Sequence, residues 1–271
     1  MTDNTQQRCR TALVTGASAG IGKDIARRLA ADGFRVVVHY RQRRDAAQET
    51  VTAIKAAGGR AFALGADLTV DRAVDALFTT LEATLDGEPL DVLVNNAGIT
   101  ADRDDPAVAA RDDFVAGISH VTPETFDELF AINVRAPFFV TQRALPLLAD
   151  GGRIINISSA TTRIAWPLLP YAMSKGALEM MAARLAQQLG ARGITVNTVA
   201  PGVTDTEMNS WVHEMPGAVE ALSGMTALRR LGRPDDISAV VSYLASDDAR
   251  WVTGQLIEAS GGLCLAPAMG M

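Results

Sequence analysis

The sequence predicts a doubly wound α/β fold, in which helices cover both faces of one parallel β-sheet to give three layers, α/β/α. Short apolar runs alternate along the chain with longer segments of helical periodicity, as parallel strands joined by crossover helices require. The apolar runs lack polar/apolar alternation, which indicates strands buried on both faces. Aromatic residues make up only 5% of the chain, so Ala, Val, Leu and Ile must supply the core. No linker or internal repeat divides the sequence, and we therefore expect a single domain over residues 1–271.

Each predicted strand is an apolar run that ends at a polar or glycine residue. In chain order, the predicted strands cover residues 12–14, 36–38, 61–64, 92–94, 154–157, 195–199 and 256–257. The segments between them carry apolar residues at helical spacing, and Gly33 and the pair Gly58–Gly59 end the first two of these segments. The predicted helices cover residues 21–31, 45–57, 70–85, 122–148, 171–189 and 234–244.

Two segments fit no regular element. Residues 100–117 contain five Asp and two Arg with little apolar content, which indicates an exposed acidic insertion. Residues 204–230 carry several methionines and Trp211 between glycine and proline breakers, a pattern typical of a mobile substrate lid. The same pattern fits equally a pair of surface helices packed on the core.

Charge and composition exclude several classes of protein. The chain has 25 Lys and Arg against 31 Asp and Glu, a net charge of −6, which is not the basic footprint of a protein that binds nucleic acid or an anionic membrane. Residues 1–10 lack the apolar core of a signal peptide, and no apolar run reaches the ~20 residues of a membrane span. We expect a cytoplasmic protein in which Cys9 and Cys264 are free thiols rather than a disulfide between the chain ends.

A glycine-rich turn follows the first predicted strand and opens the first predicted helix, with the spacing G-x-x-x-G-x-G. Its candidate binding residues are Gly16, Ser18, Ala19, Gly20, Ile21 and Gly22. Glycines let the backbone approach a pyrophosphate closely, and the N–H groups of a helix N-terminus face its negative charge. This context predicts a Rossmann-type dinucleotide site. The competing interpretation is a turn that serves only close packing of helix against sheet.

The end of the second predicted strand bears on the choice between the two nicotinamide cofactors. NAD sites place a carboxylate about 20 residues after the glycines, on the ribose 2′-hydroxyl. Here that place holds Tyr40 and Arg41, and the first carboxylate is Asp45. A guanidinium binds a 2′-phosphate that a carboxylate would repel, so the sequence favours NADP(H) over NAD(H). The alternative is a solvated, basic start of a helix.

Tyr171 and Lys175 lie four residues apart and therefore on one face of a predicted helix. A free tyrosine, whose pKa is about 10, is a poor acid–base catalyst at neutral pH. A neighbouring ammonium favours the phenolate and is expected to lower that pKa. The preceding strand ends at Ser158 and Ser159, at the sheet edge where α/β folds place reactive groups.

A series of motifs, taken in chain order over about residues 10–263, resembles the short-chain dehydrogenase/reductase family. The motifs are the glycine turn, Asn95-Asn96-Ala97-Gly98, Asn133, Ser159, Tyr171 with Lys175, and Pro201-Gly202. Residues 231–237 and 252–255 are similar to segments of the 3-oxoacyl-(acyl carrier protein) reductase group.

The resemblance implies a role for each matching residue. Tyr171 would exchange a proton with the substrate oxygen, Ser159 would hydrogen-bond that oxygen, and Lys175 would bind the nicotinamide ribose. Asn133 would hold a water that relays protons through Lys175. The remaining implied cofactor contacts are Asp67 and Leu68 at the adenine, Asn96 at its ribose, and Pro201, Thr204 and Thr206 at the nicotinamide end.

The sequence departs from the family pattern at three places, one of which is the acidic stretch 100–117, longer here than is usual in the family. The usual separation of thirteen residues between serine and tyrosine selects Ser158, whereas the surrounding pattern selects Ser159 with one residue missing from the following loop; we choose Ser159. Ala19 stands where many NADP-dependent members carry Arg or Lys, so Arg41 is the main support for NADP(H).

These features together predict an NADP(H)-dependent oxidoreductase that interconverts a ketone and a secondary alcohol, a carbonyl reductase that resembles the 3-oxoacyl-(acyl carrier protein) reductases. The expected substrate is a medium-sized, partly apolar molecule such as a 3-oxoacyl thioester, a polyketide-like ketone or an alicyclic ketone. The alternatives are a sugar or polyol dehydrogenase of the same family and a non-catalytic dinucleotide-binding sensor. The resemblance implies a homo-oligomer, a tetramer or a dimer, and we expect the apolar tail at residues 263–271 to lie at a subunit interface. The three histidines have no metal-ligand spacing, so no metal site is expected.

Overall fold

A computed structural model describes residues 8–100, 118, 121–166, 168–263 and 265. The strands are β1 Thr11–Val14, β2 Arg35–Tyr40, β3 Arg60–Gly65, β4 Leu90–Asn95, β5 Leu148–Ile157, β6 Thr195–Pro201 and β7 Leu256–Ala259. Within the described residues these seven strands form one sheet in the order β3-β2-β1-β4-β5-β6-β7, and all neighbouring pairs are parallel.

The helices occupy the segments between the strands, close to their predicted places. They are α1 Gly20–Ala31, α2 Arg44–Ala56, α3 Asp71–Leu85, α4 Pro123–Phe130, α5 Ala136–Ala144, α6 Leu169–Leu189, α7 Trp211–Glu214, α8 Ala218–Met225 and α9 Pro234–Ala245. The predicted helix over 122–148 is divided, because a π-helical segment, Ala131–Arg135, separates α4 from α5 and the strand β5 already begins at Leu148. None of the helices in the described part of the chain is long and apolar enough to cross a bilayer.

Two apolar clusters cover opposite faces of the sheet. On one face, α1, α2 and α9 pack through small and branched side chains such as Ile25, Val51 and Val241. On the other face, α3 and α5 contribute Phe78 and Val140, and α6 contributes several alanines and leucines. The predicted doubly wound, three-layer α/β/α fold is confirmed, and its core consists mainly of Ala, Val, Leu and Ile, as the low aromatic content requires.

The strand order reverses direction at β1, which lies between β2 and β4. Crossover helices leave such a switch point on opposite faces and open a crevice at the carboxyl ends of the strands. The glycine turn, Tyr40, Asn95, the serine pair and Pro201 all lie at these carboxyl ends. The topology therefore gathers at one sheet edge motifs that are up to 185 positions apart in the chain, from Gly16 to Pro201.

The segment 204–230 contains a 3₁₀ turn, Glu207–Asn209, followed by the short helices α7 and α8. Val212 and Leu222 are buried and anchor the two helices, while Met208, Met215 and Met225 are exposed. Residues 204–230 therefore include a pair of short helices packed on the core, and the outer surface of this segment is apolar. The acidic insertion from residue 101 to 117 and most of the tail after Leu263 lie outside the described residues.

Candidate active site

The glycine turn between β1 and α1 has the backbone shape that a pyrophosphate site requires. Gly16 and Gly20 have positive φ angles of 64° and 53°, a region that side chains rarely adopt. A Cβ atom at Gly22 would overlap the side-chain nitrogen of Asn96 and the carbonyl oxygen of Gly16. The N-cap residue of α1, Ala19, has no side chain that could accept a hydrogen bond from the first-turn N–H groups, so they can bind an anion.

Asn96 and Thr15 hold the turn against the end of β4. Asn96 Nδ2 donates to the carbonyl oxygens of Thr15 and Gly16 at 2.9 and 3.1 Å. Thr15 Oγ1 in turn accepts hydrogen bonds from the backbone N–H groups of Asn96 and Ala97, both at 3.0 Å. The Asn96 side chain therefore binds the glycine turn itself. It holds the turn in the shape that a bound cofactor would contact.

His39 also supports the turn, although the sequence patterns did not assign it a role. Its Nδ1 accepts a hydrogen bond from Gly16 N at 3.2 Å, which leaves Nε2 to donate to Ala66 O at 3.1 Å. Burial lowers the pKa of His39 to about 4, although the Ala66 carbonyl and the Asp67 charge oppose that effect. The ring is therefore neutral at neutral pH. This role depends on β2 lying beside β1, which no local pattern reveals.

We expect His39 to make the protein less stable as the pH falls from 6.5 to about 4, because the unfolded chain takes up a proton there that the folded ring does not. The effect is about 3 kcal/mol across this interval. Urea unfolding of His39→Gln at a series of pH values should show a shallower loss of unfolding free energy than the wild type. His213→Gln, at an exposed histidine, is the matched control. Parallel curves for the wild type and His39→Gln would contradict this assignment.

The predicted 2′-phosphate region carries a positive side chain that is already oriented. Arg41 Nε donates to Asp67 Oδ2 at 2.9 Å. Burial alone would raise the pKa of Asp67, but the hydrogen bonds from Thr69 and the Arg41 charge lower it below its ordinary value. Arg43, two residues further, pairs with Glu207 beyond the end of β6. The structure thus places Arg41 and Asp67, predicted from separate strands, in direct contact.

Tyr171 and Lys175 lie on α6 and are both buried. Lys175 Nζ donates to the carbonyl oxygen of Ile157 at 2.9 Å and lies 5.6 Å from the centre of the Tyr171 ring. Burial raises the pKa of Tyr171, and its hydrogen bond with Ser159 offsets this only in part. Burial also lowers the pKa of Lys175 to about 8. The expected lowering of the tyrosine pKa is therefore not found in the protein alone, because loss of solvent disfavours both charges.

The two candidate serines have different surroundings. Ser158 is only 3% exposed, and its Oγ donates to Glu179 Oε1 at 2.7 Å. Ser159 is partly exposed, accepts hydrogen bonds from Thr161 N and Oγ1 at 3.3 and 3.0 Å, and bonds with Tyr171. Only Ser159 of the pair therefore shares a hydrogen bond with the tyrosine hydroxyl, which supports the choice of Ser159.

Asn133 lies in the π-helical segment between α4 and α5, a feature often found at functional sites. Its Nδ2 donates to Ile99 O at 2.8 Å and to Ser174 Oγ at 3.1 Å, and its Oδ1 accepts from Ile99 N at 3.0 Å. A Cβ on Gly98 would lie 3.0 Å from Asn133 Oδ1 and 3.2 Å from Lys175 Nζ. The Asn133 and Lys175 side chains therefore meet at Gly98.

The remaining predicted residues surround the same crevice. Leu68 is buried after β3, and Pro201 ends β6. The Thr204 hydroxyl is buried and donates to Gly202 O at 3.0 Å, so it supports the loop after β6. Thr206 faces the turn, since a Cβ on Gly20 would lie 3.5 Å from its methyl carbon. Thr206 thus lies beside the N-terminus of α1.

The sequence is similar to known proteins over nearly its whole length. The family described as "Enoyl-(Acyl carrier protein) reductase" matches residues 16–264. An uncharacterized oxidoreductase of Methylorubrum extorquens is 44% identical over 256 residues, which cover 94% of this chain and 97% of that protein.

Two solved structures of reductases also match. The angucycline C-6 ketoreductase LanV, solved with bound NADP, has a TM-score of 0.85 and 47% identity, covering 95% of this chain and 96% of that chain. The second structure is that of the reductase LugOII, which is described as promiscuous and as catalysing keto-reduction at C1 during lugdunomycin biosynthesis. It has a TM-score of 0.85 and 44% identity, and the match covers 94% of this chain and 98% of that chain.

The fold, the glycine turn and these similarities define the class: the chain belongs to the short-chain dehydrogenase/reductase family. The resemblance inferred from its motifs is thereby confirmed. It is an oxidoreductase that interconverts alcohol and carbonyl groups.

Proposed function

We propose that this protein is an NADPH-dependent ketoreductase that converts a bulky cyclic ketone to a secondary alcohol. The observation that carries the proposal is the meeting of Ser159, Tyr171 and Lys175 at the carboxyl edge of the sheet, beside the glycine turn. A protein that only bound a dinucleotide would need no phenol and serine hydroxyl bonded to each other.

The residues around the crevice fit the cofactor. The bare N-terminus of α1 fits the pyrophosphate, and Arg41 fits the 2′-phosphate that distinguishes NADP(H) from NAD(H). LanV, a structural relative, was crystallised with NADP, which supports the same assignment here. When bound, NADPH supplies the hydride that reduces the carbonyl carbon.

The chain itself supplies the proton and orients the reacting oxygen. Because burial raises the pKa of Tyr171, its phenol keeps the proton that the developing alkoxide needs. The Ser159 hydroxyl accepts from Thr161 and bonds with Tyr171, so its single hydrogen is directed to the place where the Tyr171 hydroxyl and the substrate oxygen would meet. The side chains of Lys175 and Asn133 meet at Gly98. The Lys175 ammonium can return a proton to the tyrosine after each turnover, and Asn133 can hold the water that resupplies Lys175. A protonated phenol suits reduction better than oxidation.

The apolar outer surface of residues 204–230 and the similar reductases support an apolar, polycyclic substrate. Met208, Met215 and Met225 expose flexible thioether side chains on the segment that follows β6, and such side chains adapt to large apolar surfaces. LanV is described as an angucycline ketoreductase, and angucyclines are fused-ring ketones. We therefore favour a fused-ring ketone over the 3-oxoacyl thioester that the C-terminal segments suggested.

Oxidation of NADPH by the purified protein, followed at 340 nm, tests the proposal across a ketone panel. The panel contains fused-ring ketones such as tetralones, a 3-oxoacyl thioester and a keto-sugar. We expect the highest kcat/KM for the fused-ring ketones. A higher kcat/KM for the thioester or the sugar would contradict the fused-ring substrate and assign that compound class instead. Binding of NADPH without turnover of any ketone would identify the protein as a dinucleotide-binding sensor.

The serine assignment gives a paired test. Ser159→Ala should lower kcat on the order of 100-fold, because it removes a donor to the developing oxyanion. Ser158→Ala should lower kcat by less than about tenfold, because Ser158 contacts Glu179 and not the tyrosine. Steady-state kinetics of both variants on one ketone decides between them. The reverse order of effects would assign the role to Ser158.

We also propose that the protein is a homo-oligomer, a dimer or a tetramer, that pairs through α4 and α6. A groove of about 670 Å³ there is lined by Phe130, Phe138 and Met180, of which Met180 is 58% exposed. Asp127 and Arg184 add opposite charges to the same face, so two copies can pair about a two-fold axis.

Sedimentation velocity at micromolar concentration tests this assembly. Met180→Glu should lower the oligomeric state, because it places a charge in a desolvated contact, whereas Met225→Glu, at the exposed end of α8, should not. A monomeric wild type would refute the proposal.

A further inference from the structure

Glu179 shares one face of α6 with the two residues assigned to catalysis. It follows Lys175 by one helical turn and Tyr171 by two, so the three side chains project from the same side of the helix. Neither the motifs nor the proposed reaction assigns it a role. Its carboxylate is partly exposed and points toward the segment that follows β5.

A single oxygen of Glu179 bonds both ends of the segment that carries Ser159. Ser158 Oγ donates to Glu179 Oε1 at 2.7 Å, and Thr162 Oγ1 donates to the same atom at 2.8 Å. Ser158 directly precedes Ser159, and Thr162 ends the 3₁₀ turn Ala160–Thr162 that follows it. The helix with Tyr171 and the turn with Ser159 are thus joined at one point.

Both hydroxyl groups also have a backbone acceptor, but the carboxylate is the better one. Ser158 Oγ lies 3.4 Å from Lys175 O, and Thr162 Oγ1 lies 3.0 Å from Ser159 O. A hydroxyl has one hydrogen to donate, and a carboxylate oxygen is a stronger acceptor than a carbonyl. The shorter distances and the stronger acceptor direct both hydrogens to Glu179.

The position of the Ser159 hydroxyl depends on the two hydrogen bonds that Glu179 accepts from Ser158 and Thr162. Thr161 donates to Ser159 Oγ through its own Oγ1, at 3.0 Å, and lies between Ser159 and Thr162. A shift of the turn would therefore move both the Ser159 hydroxyl and the group that orients it. Tyr171 would stay in place, because the rest of α6 packs on the sheet.

We propose that Glu179 is a positioning residue: it sets the distance between Ser159 and Tyr171 for ketone reduction without touching substrate or cofactor. The inference rests on the proposed reductase function. Displacing a catalytic group by about 1 Å can lower the rate on the order of 100-fold. Loss of the Glu179 carboxylate should therefore act on the chemical step and leave cofactor binding at the glycine turn unchanged.

The test compares Glu179→Ala and Glu179→Gln with the wild type on the best ketone. Glu179→Ala should lower kcat roughly 10- to 100-fold, with the Kd for NADPH within about twofold of the wild type. The isotope effect on kcat with NADPH deuterated at the transferred position should rise, because hydride transfer becomes slower than product release. Glu179→Gln keeps an acceptor oxygen and should recover kcat to within about fivefold. Glu82→Ala, at an exposed position of α3, is the matched control.

A double-mutant cycle separates positioning from a general loss of stability. Ser158→Ala/Thr162→Val removes both donors, so adding Glu179→Ala to it should lower kcat little further. If Glu179→Ala does not fold, the Ser158→Ala/Thr162→Val variant carries the same kinetic test. Wild-type kcat and isotope effect in the variants would overturn the inference while the reductase function stands. A wild type that reduces no ketone would overturn both.

Discussion

Tyr171→Phe is expected to lower kcat for ketone reduction on the order of 1,000-fold while leaving the Kd for NADPH within about twofold of the wild type. The substitution removes one oxygen from a side chain that is only 9% exposed and keeps the packed ring. Without the phenol, the developing alkoxide must take its proton from water, which the burial of this position keeps away. Ser159 keeps its hydrogen bond to the substrate oxygen, so some residual rate remains.

Stopped-flow NADPH oxidation measures the kinetic effect, and NADPH fluorescence titration measures binding. Tyr243→Phe, at an exposed tyrosine on α9, is the matched control and should behave as the wild type. A Tyr171→Phe variant with more than about a tenth of the wild-type kcat would mean that another group donates the proton.

The pH dependence of the two directions provides a second measure of the same residue. Because burial raises the pKa of Tyr171, the phenol stays protonated through neutral pH and supports reduction there. Alcohol oxidation needs the phenolate, so its rate should rise with pH more steeply than the reduction rate falls. This dependence on pH should disappear in Tyr171→Phe.

Arg41→Asp is expected to lower the preference for NADPH over NADH about 100-fold, measured as the ratio of the two kcat/KM values. A hydrogen bond to a charged group contributes about 1.5–3 kcal/mol, and each 1.4 kcal/mol is about tenfold. The variant also places a carboxylate near the 2′-phosphate, beside Asp67, which already lies 2.9 Å from the Arg41 side chain. Repulsion therefore adds to the lost contact.

The matched control is Arg72→Asp, the same charge reversal at an exposed position of α3. It should leave the cofactor ratio unchanged, because it alters the net charge without altering the site. An Arg41→Asp variant that still prefers NADPH would assign the 2′-phosphate to another cation, of which Arg43 is the nearest in sequence. Its pairing with Glu207 places it at the same crevice.

The position of the strands and of the glycine turn could be predicted because both depend on local sequence. A strand that is buried on both faces can be recognised from a run of apolar residues, as at Val36–Val38. A turn that needs a positive φ can be recognised from its glycine, as at Gly16. The motif residues Asn133, Ser159, Tyr171 and Lys175 were found through their order in the chain. Their approach to one another at Gly98 and Ser159 then follows from strand order at the sheet edge.

The tertiary structure determines the hydrogen bonds and the burial of side chains whose neighbours lie far away in the sequence. His39 bonds the glycine turn only because β2 lies beside β1, and Glu179 meets Ser158 only because α6 packs over the end of β5. Burial likewise raises the pKa of Tyr171 and lowers that of Lys175. The spacing of the two residues along a helix does not reveal how deeply they are buried. The sequence by itself therefore determined the family and predicted the residues of the candidate site. Only the tertiary structure decided how those residues are held and charged, because hydrogen-bond partners and exposure to solvent come from distant parts of the chain.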